Sequence, residues 1–158
     1  MKSRVIAHCF SAAVSTIPDA EAWLHFVALL RLFTIIALPI GFQWEFLQIE
    51  VLRASWQTIT GIITTSLVMP AVTEELFFRV LLLPQTTENL STSALWIWLC
   101  ISLSLFILYH PLNALSFALR GVETFSNSVF LVLAALLGVI CSLAYIQSGS
   151  LWTPAMIH

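Results

Sequence analysis

The chain has 158 residues, of which 59% are hydrophobic and only 9% charged, with a formal net charge of −2 and a mean hydropathy of +0.97. A soluble domain carries about 25% charged residues, so this composition excludes a water-soluble globule and specifies one integral membrane domain over residues 1–158. Lys and Arg are scattered singly, leaving no basic patch to neutralise phosphates, which excludes a nucleic-acid partner and makes the lipid bilayer the first one.

In chain order, residues 1–21 form an N-terminal segment. Lys2 and Arg4 precede a short apolar run from Val5 to Val14, as in a signal peptide, but His8 interrupts the run and the cleavage signal is poor. A first anchor or interfacial segment explains it equally well. Ala22 to Ile40 is the first stretch near the 20 or so apolar residues that a membrane helix needs. Gly41 to Arg53, with Glu45 and Glu50 among Phe42, Trp44, Phe46, Leu47, Ile49 and Val51, reads as an amphipathic helix at the interface.

Trp56 to Thr73 is an uncharged span made rather polar by Thr58, Thr60, Thr64 and Thr65. Pro70 predicts a kink or break just before Glu74, after which a helix carries an acidic motif to near Pro84. Asn89 to Ser93 is a polar loop. Ala94 to Tyr109 is the next span, ending at His110-Pro111, and a loop with Arg120 and Glu123 follows it. In the last full span, Phe125 to Ile146, Ala134, Gly138 and Ser142 recur every fourth residue, a stripe of small side chains that lets another helix approach. After a turn at Gln147–Ser150, Thr153 is the expected N-cap and Pro154 the first helical residue of a helix that reaches His158. Trp23, Trp44, Trp56, Trp96, Trp98 and Trp152 lie mostly near segment ends, as interfacial anchors do. The expected fold is an all-α polytopic membrane bundle of about four to five membrane helices plus the interfacial helix. Cys9, Cys100 and Cys141 are isolated and odd in number, so they read as small buried hydrophobes rather than a disulfide frame or zinc site.

The chemistry concentrates in Thr73-Glu74-Glu75-Leu76-Phe77-Phe78-Arg79. Each charge near a bilayer centre costs about 2.5–3.5 kcal/mol, so such residues are paired, hydrated or used. Glu75 and Arg79 are spaced i, i+4 and can pair on one helix face. Glu74 points about 100° away and keeps no such partner. A carboxylate there can act as a general base, worth about 10²–10⁴ in rate; alone, the trio could equally be an ion-pair staple between helices. Phe106-Ile107-Leu108-Tyr109-His110 ends an apolar helix on a histidine that could move a proton, bind a metal or orient a water. Gly149-Ser150-Leu151-Trp152-Thr153-Pro154 leads to a second histidine, His158. His8 and His25 share no such setting and read as interfacial or packing residues.

These three motifs in this order resemble the CPBP intramembrane proteases, the CAAX-protease and bacteriocin-processing family that includes the type II CAAX prenyl endopeptidases. The resemblance covers roughly Glu45 to His158, the core of the domain, and Leu81-Leu82-Leu83-Pro84 and His110-Pro111-Leu112-Asn113 look like its bacterial members. It implies that Glu74 is the base that activates water and that His110 positions or polarises that water. It implies too that His158 donates to the oxyanion, a contribution of about 3–4 kcal/mol where such donors have been removed. Glu75 is placed with these catalytic residues; Arg79, Phe106 and Asn113 support them, Phe106 by packing beneath His110. The family is described as metalloproteases, yet this chemistry can be written without metal, and no close pair such as His-Glu-x-x-His forces zinc. No cofactor is therefore required; a divalent metal such as zinc, held by Glu74, His110 and His158, is the alternative. The family places Asn or Asp four residues beyond its last histidine, so the native chain is expected to continue past His158.

The resemblance implies an intramembrane endopeptidase that hydrolyses membrane peptide or protein substrates, in a bacterial plasma membrane. A non-catalytic membrane scaffold, or a binding protein of the bacteriocin-immunity type, is the alternative from another class. A small transporter or proton relay would call for inverted repeats, and none is visible.

Overall fold

The computed structural model describes residues 2–51, 53–84, 90–117 and 121–158. Asn89 and Arg120, predicted in loops, and the side chain of His8 lie outside the described residues. The elements are α1 (Lys2–Ser15), α2 (Ala20–Gln43), α3 (Trp56–Ser66), α4 (Thr73–Glu75), α5 (Thr92–Phe117), α6 (Val122–Phe125), α7 (Ser128–Ser148) and α8 (Trp152–Ile157). Two π-helical segments, Leu67–Val72 and Leu76–Leu81, flank α4. Among the described residues, four helical stretches are long and apolar enough to cross a membrane: Ala20–Gln43, Trp56–Leu81, Thr92–Ser116 and Ser128–Ser148. The all-α polytopic bundle is as expected. The 14 described residues of α1 rise about 21 Å, less than the ~30 Å hydrocarbon core.

Local chemistry sets the helix starts. Asp19 Oδ1 accepts from Ala22 N at 2.8 Å, and Asn127 Oδ1 from Val129 N at 2.8 Å. Each side chain replaces a backbone partner that a first turn lacks. In the second span Pro70 disfavours helical geometry at the residue before it. Met69 accordingly takes φ −136°, ψ 112°, and the predicted kink falls there.

Three expectations are corrected. Among the described residues, the stretch from Gly41 to Arg53 forms no separate amphipathic helix. α2 runs on to Gln43, Glu45 takes a left-handed φ of 55°, and Phe46 N and Leu47 N both donate to Gly41 O at 2.9 Å. Two apolar side chains of this stretch fold inward instead, Leu47 into the space where a Cβ on Gly41 would stand and Phe46 against Phe130, while Phe42, Trp44, Ile49 and Val51 stay exposed. Second, α5 does not stop at His110 but continues through Pro111 to Phe117. A proline is tolerated inside a membrane helix when neighbouring groups satisfy the backbone it frees. Third, α8 starts at Trp152, two residues before Pro154. Ser150 Oγ accepts from Trp152 N at 3.3 Å, while the expected cap, Thr153, pairs its hydroxyl with Ser148 Oγ at 2.7 Å.

α7 is the centre of the bundle, packed against α2, α5 and α8. Its predicted stripe, Ala134, Gly138 and Ser142, is buried. Gly149 closes α7 in the left-handed conformation (φ 63°) with its N–H on Tyr145 O at 2.8 Å, turning the chain back so that α8 lies along α7. Ile157 then joins Ile140, Cys141 and Ala144 in one apolar cluster against Phe26, Leu29 and Phe33 of α2. Of the free cysteines only Cys141 is buried; Cys9 is half-buried and Cys100 exposed. A thiol on a membrane helix meets apolar surroundings on either side, so burial did not follow from its chemistry.

Candidate active site

The wide turns around α4 bring the acidic motif to the middle of the bundle; such π segments are frequent at functional sites. Glu75 and Arg79 are 0% and 1% exposed, with Arg79 Nε 3.0 Å from Glu75 Oε2. That contact is an ion pair by distance but is off-axis for a hydrogen bond. Arg79 Nη2 donates to Gly138 O at 3.1 Å, and its guanidinium carbon stands 4.4 Å from the centre of the Phe106 ring. The buried cation is thus held by a carboxylate, a backbone carbonyl and an aromatic face. Gly138 permits this approach: a Cβ there would lie 2.7 Å from Leu103 Cδ1, 3.1 Å from Phe106 Cδ1 and 3.4 Å from Arg79 Nη2.

The other carboxylate oxygen of Glu75 reaches across to α8, where Oε1 lies 2.8 Å from His158 Nδ1. On α5, His110 Nδ1 lies 2.8 Å from Phe106 O. Its ring packs edge-to-face on Phe106 and Phe130, at 4.8 and 5.2 Å between centres. An ionised carboxylate and a carbonyl are acceptors only, so both histidines use Nδ1–H as the donor. Their Nε2 atoms are thereby aimed at the same point.

That point is Glu74. Its Oε2 stands 3.9 Å from His110 Nε2 and 3.7 Å from His158 Nε2, and the three side chains are 10–11% exposed. This oxygen is buried and has no hydrogen bond among the described residues. Beside it opens a cleft of about 280 Å³ lined by Thr73, Glu74, Phe77, Phe78 and Tyr109. Ser102 Oγ donates to Phe78 O at 2.6 Å and ties the wall of the cleft to α5.

The structure therefore brings together Glu74, Glu75, Arg79, Phe106, His110 and His158. Asn113 lies half-buried beyond Pro111 and shares no hydrogen bond with the cluster among the described residues. His25 lies elsewhere, lining an open cleft with Asp19, Glu21 and Gln147. Gly138 O as the acceptor for Arg79, and Phe77 and Tyr109 as cleft walls, had no signal beyond the small-residue stripe and the apolar pattern. As a metal site the cluster fits poorly. Zinc ligands about 2.0–2.2 Å from the ion stand about 3.3–3.6 Å apart, a few tenths of an ångström closer than these donors at 3.7–3.9 Å.

Comparison with protein-family models matches residues 55–158 to the type II CAAX prenyl endopeptidase Rce1-like family. No curated protein and no solved structure matches the chain. The matched stretch is well over half of the chain and contains all three motifs that converge on Glu74. The chain is an integral membrane protein that belongs to the Rce1-like family of type II CAAX prenyl endopeptidases.

Proposed function

We propose that the chain is an intramembrane endopeptidase that hydrolyses peptide bonds of membrane-associated substrates with a water activated by Glu74 and His110. The observation that carries this reading is the convergence of Glu74 Oε2 with the Nε2 atoms of His110 and His158, from α4, α5 and the residue just past α8, at 3.7–3.9 Å beside an open cleft. Two atoms 3.9 Å apart leave room for a water oxygen about 2.8 Å from each.

Glu74 takes a proton from this water while His110 Nε2 accepts its other hydrogen. The hydroxide adds to the scissile carbonyl carbon. His158, with Nδ1 held by Glu75, turns Nε2 toward the site as the donor to the oxyanion. The carbon–nitrogen bond then breaks as the proton on Glu74 passes to the leaving amine. No step requires a metal. Phe77 and Tyr109 at the cleft support an apolar group next to the scissile bond. The bacterial-like residues at 81–84 and 110–113 support membrane-tethered peptides or bacteriocin precursors in a bacterial plasma membrane as the setting.

The test compares new protein N-termini, by mass spectrometry, in cells expressing the full chain or its Glu74→Ala form. Termini that appear only with Glu74 are expected, and they name the substrates. Identical profiles from two proteins that both reach the membrane would leave a scaffold as the better reading.

A further inference from the structure

The end of α1 contributes no group to the site and lies outside the stretch matched to the family, yet it is bonded to the turn that launches α8. Leu151 N donates to Ala13 O at 3.0 Å, Trp152 Nε1 to Val14 O at 2.9 Å and Ser150 Oγ to Thr16 O at 2.7 Å. The last carbonyls of a helix have no partner within it, and in apolar surroundings each must find one. Here the turn at 150–152 supplies them. Ser150 Oγ also accepts from Trp152 N at 3.3 Å, so one buried hydroxyl joins α1 to the first turn of α8.

The same end of α1 packs on the acidic-motif segment. Ala13, 1% exposed, shares an apolar cluster with Val80, Leu83, Tyr145 and Leu151, and Val14, Val72 and Leu76 pack against it. Leu76 follows Glu75 directly, and Val72 lies two residues before Glu74. One short stretch, 13–16, is therefore in register with both halves of the site. α8 is six residues long, about 9 Å of rise. It is fixed at its start by α1 and just past its end by the bond from His158 to Glu75.

We propose that α1 is a clamp on the active site, in which Ser150 and Trp152, by bonding the carbonyls of Thr16 and Val14, are positioning residues that hold His158 in register with Glu74 and Glu75. The clamp rests on the site reading above. α7 and α2 hold the side of α8 through Ile157 and Thr153, while α1 sets where its first turn begins. A shift of about 1 Å in a reacting group costs about 100-fold in rate.

The experiment uses the full chain, a Ser150→Ala/Trp152→Phe form that keeps the apolar contacts but loses both side-chain bonds to α1, and a form lacking residues 1–18 with or without a synthetic peptide of those residues. Two quantities are read: the rate of Glu74-dependent N-terminus formation, and the imidazole ¹⁵N resonances of His158 in protein reconstituted into lipid nanodiscs. The clamp predicts that the His158 resonances move in both altered forms, that cleavage falls about 100-fold, and that the peptide restores both in the shortened form. Unmoved His158 resonances overturn it, including when cleavage falls together with the melting temperature. If the resonances move but the full chain shows no Glu74-dependent cleavage, the clamp stands and the protease reading falls.

Discussion

Arg79 Nη2 donates to the backbone carbonyl of Gly138 at 3.1 Å, across 59 positions of sequence. The bond explains how a guanidinium 1% exposed is tolerated in the second membrane span. It also fixes the Glu75 carboxylate, which Arg79 holds on one side and His158 on the other. The stripe on α7 is thus more than a packing surface, because it offers the motif segment a carbonyl. Ser142 Oγ donates to the same oxygen at 2.7 Å, so that acceptor is doubly engaged.

Breaking this pair on one side should be worse than removing both partners. Arg79→Met leaves Glu75 buried with His158 as its one remaining partner among the described residues, and should destabilise the protein by up to about 3–5 kcal/mol. Glu75→Leu combined with Arg79→Met should recover most of that loss, since a buried ion pair is often replaceable by apolar groups of similar volume. Cleavage should stay absent in the double variant, because His158 Nδ1 has lost its acceptor. Thermal unfolding in lipid nanodiscs and the neo-terminus profile read the two effects separately. Cleavage recovering with stability would show that Glu75 serves only packing.

Gly138 should tolerate alanine and reject larger residues. Alanine gains about 1 kcal/mol of helix propensity, against an overpacking cost of about 1–3 kcal/mol. The nearest obstruction, Leu103 Cδ1 at 2.7 Å, is the end of a movable side chain. Gly138→Ala should therefore lie within about 2 kcal/mol of the native chain and keep most cleavage. Gly138→Leu has to displace Phe106 and Arg79, and with them His110 and Glu75, so cleavage should be lost while the protein still inserts. Full activity in Gly138→Leu would mean that the Arg79 contact does not organise the site.

His158→Gln should lower the cleavage rate by about 10²–10³, the cost of losing one oxyanion donor. His110→Gln should cost about 10²–10⁴ through the loss of water activation. Glu74→Gln combined with His110→Gln should be little worse than Glu74→Gln alone, since residues that act as a unit are not additive. A double variant that loses the full product of the two effects would place His110 outside the water-activating pair.

Chelation should leave cleavage intact, with zinc substoichiometric in the purified protein by elemental mass spectrometry. The donors around Glu74 stand 3.7–3.9 Å apart, wider than the edge of a tetrahedral zinc shell with bonds of about 2.0–2.2 Å. Loss of activity on chelation with recovery on adding zinc would draw Glu74, His110 and His158 together around an ion.

The sequence by itself determined what depends on composition and on spacing along one helix. A charge content of 9% decided the membrane class. The i, i+4 spacing decided that Glu75 and Arg79 pair, Pro70 decided the break at Met69, and the repeat at Ala134, Gly138 and Ser142 decided which face of α7 is buried. The order of the three motifs already gathered Glu74, His110 and His158 into one expected site. Only the tertiary structure decided that Gly138 O receives Arg79, that Glu75 bonds His158 across 83 positions, and that Thr16 receives Ser150 across 134. It also decided that α5 passes through Pro111 and that Phe46 and Leu47 fold back on α2 rather than forming an interfacial helix. The reason is physical. In a membrane both the interior of the bundle and its surroundings are apolar, so the contrast between faces that marks an inward side in water largely vanishes. Cys141 is buried and Cys100 exposed, each on an apolar membrane helix, and the packing of one helix on another tells them apart.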